Sequence, residues 1–230
     1  MPLVWVTGNS GVGKSTICAL LKSRGELAFD ADSEGFNYWM DRESGQVVAD
    51  RPYPVPPGWL DRFDLMISRV EVEALAARVH GKTAFLCGSA ENEAGVRDLF
   101  DLVVCVVVDS ETLRERLLTR EANAFGKHPD QLAAVLMFNE GVESFYRRLG
   151  ATIIDGSRPA AEVADAILAA ATTVPRPEYQ AREPDVYDEL WGGRGRHSRY
   201  TRHGPRQLSR ACSDRSAGLA SHCWSPGCPP

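Results

Sequence analysis

The sequence predicts an α/β fold built on a five-stranded parallel sheet. Three observations carry that expectation. Leu102–Val108 is an unbroken apolar run with five valines, the composition of a strand covered on both faces. Short apolar runs alternate with helical spacings along residues 1–172, the pattern of right-handed crossovers between parallel strands. The first apolar run also leads through a glycine-rich turn straight into a helix.

Leu3–Thr7 is read as the first strand, ending at Gly8, and Ser15–Ser23 as a helix with Ile17, Leu20 and Leu21 on one face. Leu27–Asp32 is a second strand that closes on two acids. Phe36–Trp59 reads as irregular, with Tyr38, Trp39, Tyr53, Pro54, Pro56 and Pro57. Asp61–His80 has helical spacing through Phe63, Ile67, Val70, Leu75 and Val79, with Gly81 as its C-cap. Thr83–Cys87 and Leu102–Val108 are the third and fourth strands. Glu111–Glu121 is a helix behind an Asp109-Ser110 cap. Asp130–Leu149 is helical with a break at Gly141, Thr152–Asp155 is the fifth strand, and Pro159–Ala171 is an Ala-rich last helix. The periodicity stops after Thr172. Residues 173–230 are expected to be a Pro/Arg-rich tail, mostly disordered, with Tyr187 and Trp191 the residues that would dock its first part.

Composition narrows the function classes. The 230 residues are 43% hydrophobic and 25% charged, which excludes a wholly disordered chain, a collagen and a coiled coil. No run reaches the roughly 18 apolar residues of a membrane span. The opening residues lack a basic segment before the apolar run, so they read as a strand and not a signal peptide, and a cytoplasmic protein is expected. Net charge is −5, yet Leu190–Pro230 holds seven Arg against Asp214 alone. That segment carries +6 and leaves −11 on the remainder, which argues against a nucleic-acid face on the body. Cys18, Cys87 and Cys105 sit in apolar runs and read as small buried hydrophobes. Cys212, His222, Cys223 and Cys228 lie in the tail without a C-x-x-C pair, so no zinc site is expected.

The chemistry is concentrated in Gly8-Asn-Ser-Gly-Val-Gly-Lys-Ser15, which matches the phosphate-binding loop G-x-x-x-x-G-K-[ST] between a buried strand and a helix. Gly8, Gly11 and Gly13 permit the backbone conformations that turn the N–H groups of this loop, Asn9, Ser10 and Val12 included, toward one anion. Lys14 would reach the β- and γ-phosphates, Ser15 would ligate Mg²⁺ and Thr16 would support the α-phosphate. The fold class is therefore a P-loop NTPase three-layer sandwich, with 1–172 as its domain. Asp30 and Asp32 stand where α/β sheets bind ligands, at the carboxyl end of a strand. Asp109 fits a helix N-cap better than a second metal-binding acid.

With the loop, the Asp30-x-Asp32 pair, the Leu86-Cys-Gly-Ser-Ala90 turn and the Arg-containing segment after the fourth strand, residues 2–171 resemble the shikimate kinase, gluconate kinase and adenylate kinase-like group of small P-loop phosphotransferases. The resemblance implies an ATP- and Mg²⁺-dependent enzyme that phosphorylates a small-molecule acceptor at a hydroxyl or phosphate. It implies Asp30 at Mg²⁺, Asp32 at the acceptor hydroxyl, and a lid over residues 120–130 that brings in Arg120, with Lys127 or Arg116 as the alternative cation. It also implies adenine against the Gly156-Ser157-Arg158 turn. Where shikimate kinases carry Gly-Gly-Gly, this chain has Cys87-Gly88-Ser89, which sets shikimate apart. The acceptor is expected between the second and third strands, among aromatic residues and one of Arg42, Arg62 or Arg69. The alternatives are a nucleoside or nucleotide kinase, and a non-kinase ATP-binding switch. ATP is preferred over GTP because the chain has no Asn-Lys-x-Asp motif. Lacking a second helical domain and an ATPase arginine finger, the chain is not expected to be an AAA-type machine. No membrane, nucleic-acid or protein partner is expected.

Overall fold

The structure is a computed structural model and describes residues 2–173 except 49–51, 53, 54, 80, 81 and 122. The readings of the tail beyond Thr173 and of Gly81 lie outside the described residues.

Strand β1 (Leu3–Thr7) is buried along its whole length. It leads to helix α1 (Lys14–Ser23), strand β2 (Leu27–Asp30), and then β3 (Asn37–Asp41) and β4 (Val47–Val48). One turn, α2 (Trp59–Arg62), precedes β5 (Phe63–Ile67), α3 (Arg69–Arg78) and β6 (Ala84–Cys87). The chain finishes with β7 (Leu102–Val107), α4 (Ser110–Thr119), α5 (Pro129–Arg148), β8 (Thr152–Asp155) and α6 (Ala160–Thr172). The main sheet has the order β2-β6-β1-β7-β8 and every pairing in it is parallel.

Alternation along β1 separates two cores. Val4 and Val6 face a cluster with Ile17 and Leu21 of α1, Leu113 and Leu117 of α4, and Ile167 of α6. Leu3 and Trp5 face the opposite cluster with Val72 and Leu75 of α3 and Phe100. On α5, Val142, Phe145 and Tyr146 pack against Cys105 of β7. Helices thus cover both sheet faces, as the three-layer expectation requires. Cys18, Cys87 and Cys105 are buried free thiols.

Two expectations need correction. The irregular stretch and the start of the expected helix instead form a second, antiparallel sheet of order β4-β3-β5. Residues 63–67 are a strand, with Trp39 opposite Leu65 and Asn37 opposite Ile67. The helix begins only at Arg69, where Ser68 caps it by accepting from the Glu71 N–H. A short apolar run fits either period, and here strand pairing with β3 decides it. The second correction is at Gly141, where α5 is continuous and unbroken. The cost of one helical glycine, about 1 kcal/mol, is offset by burial of Val142, Phe145 and Tyr146 just after it.

The small sheet is tied to the end of the main one. Asn92 accepts from the Ile67 N–H at 2.8 Å and donates to the Ile67 carbonyl at 2.9 Å, and the Glu91 N–H donates to the Leu65 carbonyl at 2.8 Å. Arg42–Asp64 and Arg62–Asp41 ion pairs lock β3 to its neighbours. Among the described residues no helix is long and apolar enough to cross a membrane.

Candidate nucleotide and acceptor site

The loop after β1 is held from below. Asn9 donates to the Val135 carbonyl at 2.8 Å and to Asn139 Oδ1 at 3.3 Å, and its own oxygen accepts from the Ser10 N–H. Asn139 in turn donates to the Val108 carbonyl at 2.9 Å. The loop is therefore pinned to α5 and to the end of β7. Gly8 has φ 137°, and a Cβ there would lie 2.3 Å from the Val106 carbonyl oxygen. Only glycine fits. Leu117 forms a floor: a Cβ on Gly11 would meet its Cδ2 at 2.9 Å, and so would one on Gly126.

The rim of the loop fits a polyphosphate. Gly13, at φ 108°, caps α1 without any side-chain hydrogen bond, so the first-turn N–H groups have no side-chain cap. A Cβ on Gly13 would meet nothing within 4 Å. Ser15 and Thr16 are exposed on that first turn. Lys14 folds over the loop and donates to the carbonyls of Gly8 at 2.8 Å and Asn9 at 3.0 Å. Burial pushes its ammonium below the ordinary lysine value, while Asp32, and less strongly Asp30, draw it back up. A desolvated cation beside free helix N–H groups suits an anion carrying several charges.

Both carboxylates of the Asp30-x-Asp32 pair act on Lys14, but they are held differently. The intervening Ala31 is buried, donates its N–H to the Cys87 carbonyl at 2.9 Å and packs where Gly88 leaves room. Asp30 accepts from the Asp32 and Ser33 N–H groups at 3.1 Å, closing the turn after β2. Asp32 accepts from the Asn37 amide at 2.7 Å. Asn37 also donates to the Ser89 carbonyl at 3.2 Å, so β3 reaches back to the end of β6 and orients Asp32.

The remaining cations are placed as follows. Arg116 donates to the Val12 carbonyl at 3.1 Å and to the Gly156 carbonyl at 2.9 Å, fastening the loop to the turn after β8. Arg120 donates to the Phe125 carbonyl. Gly126, two residues before the His128 cap of α5, donates to the Gln131 side chain at 3.0 Å. Lys127 is exposed. Arg158 pairs with Glu162 at 2.9 Å. Asp109 caps α4 by accepting from the Thr112 N–H at 2.8 Å, and the Thr112 hydroxyl holds its carboxyl below the usual range. Arg42, Arg62 and Arg69 are paired with Asp64, Asp41 and Asp98.

One buried network had no sequence signal. Thr7, the residue before the loop, shares a 3.3 Å hydrogen bond with the Tyr146 hydroxyl, which donates to Glu93 at 2.6 Å. Arg97 lies 3.4 Å from the other Glu93 oxygen and donates to the Leu149 carbonyl at 2.7 Å. Glu93 is 1% exposed. Burial raises its carboxyl to about 7 against the pull of Tyr146, Arg97 and Lys14.

Several solved structures are similar. The gluconokinase of Sinorhizobium meliloti is 18% identical, with a TM-score of 0.45 over 74% of this chain and 91% of its own. The shikimate kinase of Acinetobacter baumannii in complex with shikimate is 18% identical, with a TM-score of 0.47 over 75% and 94%. The deoxyadenosine kinase of M. mycoides is 16% identical, with a TM-score of 0.45 over 74% and 98%. No curated protein matches the chain. At such identities and TM-scores the functional reading rests on this chain's own residues. Residues 4–128 match the AAA domain family. The match ends before α5, so it speaks to the nucleotide-binding core and not to a further helical domain. With a P-loop between β1 and α1, a five-stranded parallel sheet, and a match over more than half of its length, the chain belongs to the AAA domain family.

Proposed function

We propose that the protein is an ATP- and Mg²⁺-dependent small-molecule kinase that transfers the γ-phosphoryl group in line to an acceptor hydroxyl. The observation that carries this is the placing of Asp30 and Asp32 within the field of Lys14, at the mouth of a loop shaped for phosphates. A P-loop alone serves many NTPases. A carboxylate pair beside it suits transfer to a second molecule.

The Gly11 and Gly13 N–H groups and the first turn of α1 bind the phosphates, with Lys14 released from the Gly8 and Asn9 carbonyls to the β- and γ-oxygens; the expected contribution of Ser10 and Val12 requires their N–H groups to leave Asn9, to which both donate here. Ser15 and Asp30 would hold Mg²⁺, directly or through water, which neutralises charge on the transferring group. Asp32, oriented by Asn37, accepts the acceptor hydroxyl proton or aligns it. Arg120 or Lys127 stabilises the transferring group when the 120–128 segment closes. Arg120 must first leave the Phe125 carbonyl. Arg116 and the Gly156-Ser157-Arg158 turn border the surface where the adenine would lie. The same chemistry serves a phosphate acceptor in place of a hydroxyl. We assign the reaction to the cytoplasm, consistent with three free buried thiols.

The test is Lys14→Ala in a coupled ATP assay with an acceptor panel. Turnover is expected to fall at least about a hundredfold, with the far-UV circular dichroism unchanged, since Lys14 supports no core packing. A variant of full activity would show that the loop does not carry the reaction.

A further inference from the structure

Four buried polar side chains converge at the root of the phosphate loop, and the transfer chemistry uses none of them. Thr7 ends β1, and its hydroxyl lies 3.3 Å from that of Tyr146 on α5. Tyr146 donates at 2.6 Å to Glu93, in the short 3₁₀ turn Glu93–Gly95. Arg97 completes the group. Its contact with the second Glu93 oxygen is long, 3.4 Å, and another of its nitrogens goes to the Leu149 carbonyl at 2.7 Å. A carboxylate closed off from water needs close, charged partners. Glu93 has one short bond, from a neutral hydroxyl, so the geometry accepts a carboxylic acid as readily as a carboxylate.

The groups that face Glu93 come from four directions. Tyr146 of α5 and Cys105 of β7 are neutral, since burial holds the hydroxyl and the thiol well above their ordinary values. Arg97 and Lys14 are the cations, and both favour the ionised carboxyl. Of the two, Lys14 is the one that changes partner. Its charge reaches Glu93 through the protein interior, where salt screens little. A bound polyphosphate answers that charge several times over. Glu93 then loses one of the two cations that favour its ionisation, and such a loss draws a proton to a buried carboxyl. The event also has a mechanical side. Gly8, whose carbonyl Lys14 must leave, follows Thr7 directly in the chain.

We propose that Thr7, Tyr146 and Glu93 link the phosphate loop to a buried proton site, so that a polyphosphate is bound together with a proton taken up by Glu93 and is held less tightly once that proton is lost. This rests on the reading of the loop as a nucleotide site, and not on transfer to an acceptor. Glu93 is a positioning residue that acts through Tyr146 and Lys14. Linkage sets the direction: affinity is greatest while Glu93 keeps its proton and falls as pH rises through about 7.

The experiment titrates the full chain with Mg²⁺-ADP by calorimetry at pH 7.5, in Hepes and in Tris, whose ionisation heats differ. The dependence of the observed heat on the buffer counts the protons exchanged. The native chain is expected to take up about 0.3–0.5 proton per nucleotide more than Glu93→Gln. Between pH 6.5 and pH 8.5 it should lose about threefold to tenfold more affinity than that variant. Glu91→Gln removes the other carboxyl raised to about 7 and should keep the uptake. The infrared difference spectrum of the native chain, bound minus free, should gain a protonated-carboxyl band, which decides the matter even where Glu93→Gln does not fold. Equal uptake in the native and Glu93→Gln chains, loss of uptake in Glu91→Gln, or no carboxyl band overturns the proposal and leaves the loop a nucleotide site. If Mg²⁺-ADP does not bind the native chain at all, the nucleotide site is refuted and the coupling with it.

Discussion

Removing the charge of Glu93 should flatten the dependence of folding stability on pH. In the folded protein its carboxyl titrates at about 7, against 4.5 ordinarily, because burial outweighs Tyr146, Arg97 and Lys14. Between those values the folded chain keeps the proton and the unfolded chain has lost it. Stability contributed by the neutral carboxyl is therefore full below pH 4.5 and declines as pH rises through 7. The difference amounts to about 3 kcal/mol, of which roughly 2–3 kcal/mol is lost between pH 5 and pH 8. Glu93→Gln cannot ionise. Hydrogen-bond changes with Tyr146 and Arg97 shift its stability by a largely pH-independent offset. Glu91, also raised to about 7 by burial, contributes to both proteins alike and cancels. Urea unfolding followed by circular dichroism at pH 5, 6, 7 and 8, with thiols reduced, gives both curves. The variant should gain about 2–3 kcal/mol on the native protein between the ends of that range. Parallel curves would mean that Glu93 is already ionised near its unfolded value, and the reasoning about its burial would fall.

Two further outcomes follow from the loop geometry. Gly8→Ala should abolish nucleotide binding in calorimetry and cost about 1–3 kcal/mol of stability, since the added Cβ meets the Val106 carbonyl in a left-handed conformation. A variant that still binds ATP would show that the loop tolerates a shifted backbone. Leu117→Ala, at a fully buried position, should cost about 2–5 kcal/mol in urea unfolding and weaken ATP binding through the lost floor. Unchanged affinity would separate that floor from the loop's shape.

The sequence made some parts of this fold legible and hid others. The valine run of β7 and the apolar run of β1 are buried on both faces and announce themselves by composition alone. The phosphate loop is legible because its chemistry allows few residue types at fixed spacing. The β4-β3-β5 sheet is not legible in the same way. Phe63, Ile67 and Val70 fall at helical spacing by chance, and the strand exists only because β3 pairs with it. Asp30 and Asp32 could be located from the end of β2, but Asn37, which orients Asp32, sits in a stretch that reads as irregular. Glu93 gives no signal at all: its partner Tyr146 lies 53 residues away, and a lone acid after β6 looks solvated until the fold buries it.

Leu117 has a consequence for anyone rebuilding this protein. Its methyl group abuts both Gly11 and Gly126, so the two loops share a single supporting surface and are not separable modules. A segment transplanted into 120–128 to alter closure must present a residue without a side chain over the same methyl. Otherwise the graft lifts the leucine, and the misfit appears as lost phosphate binding at a loop whose own sequence was never touched.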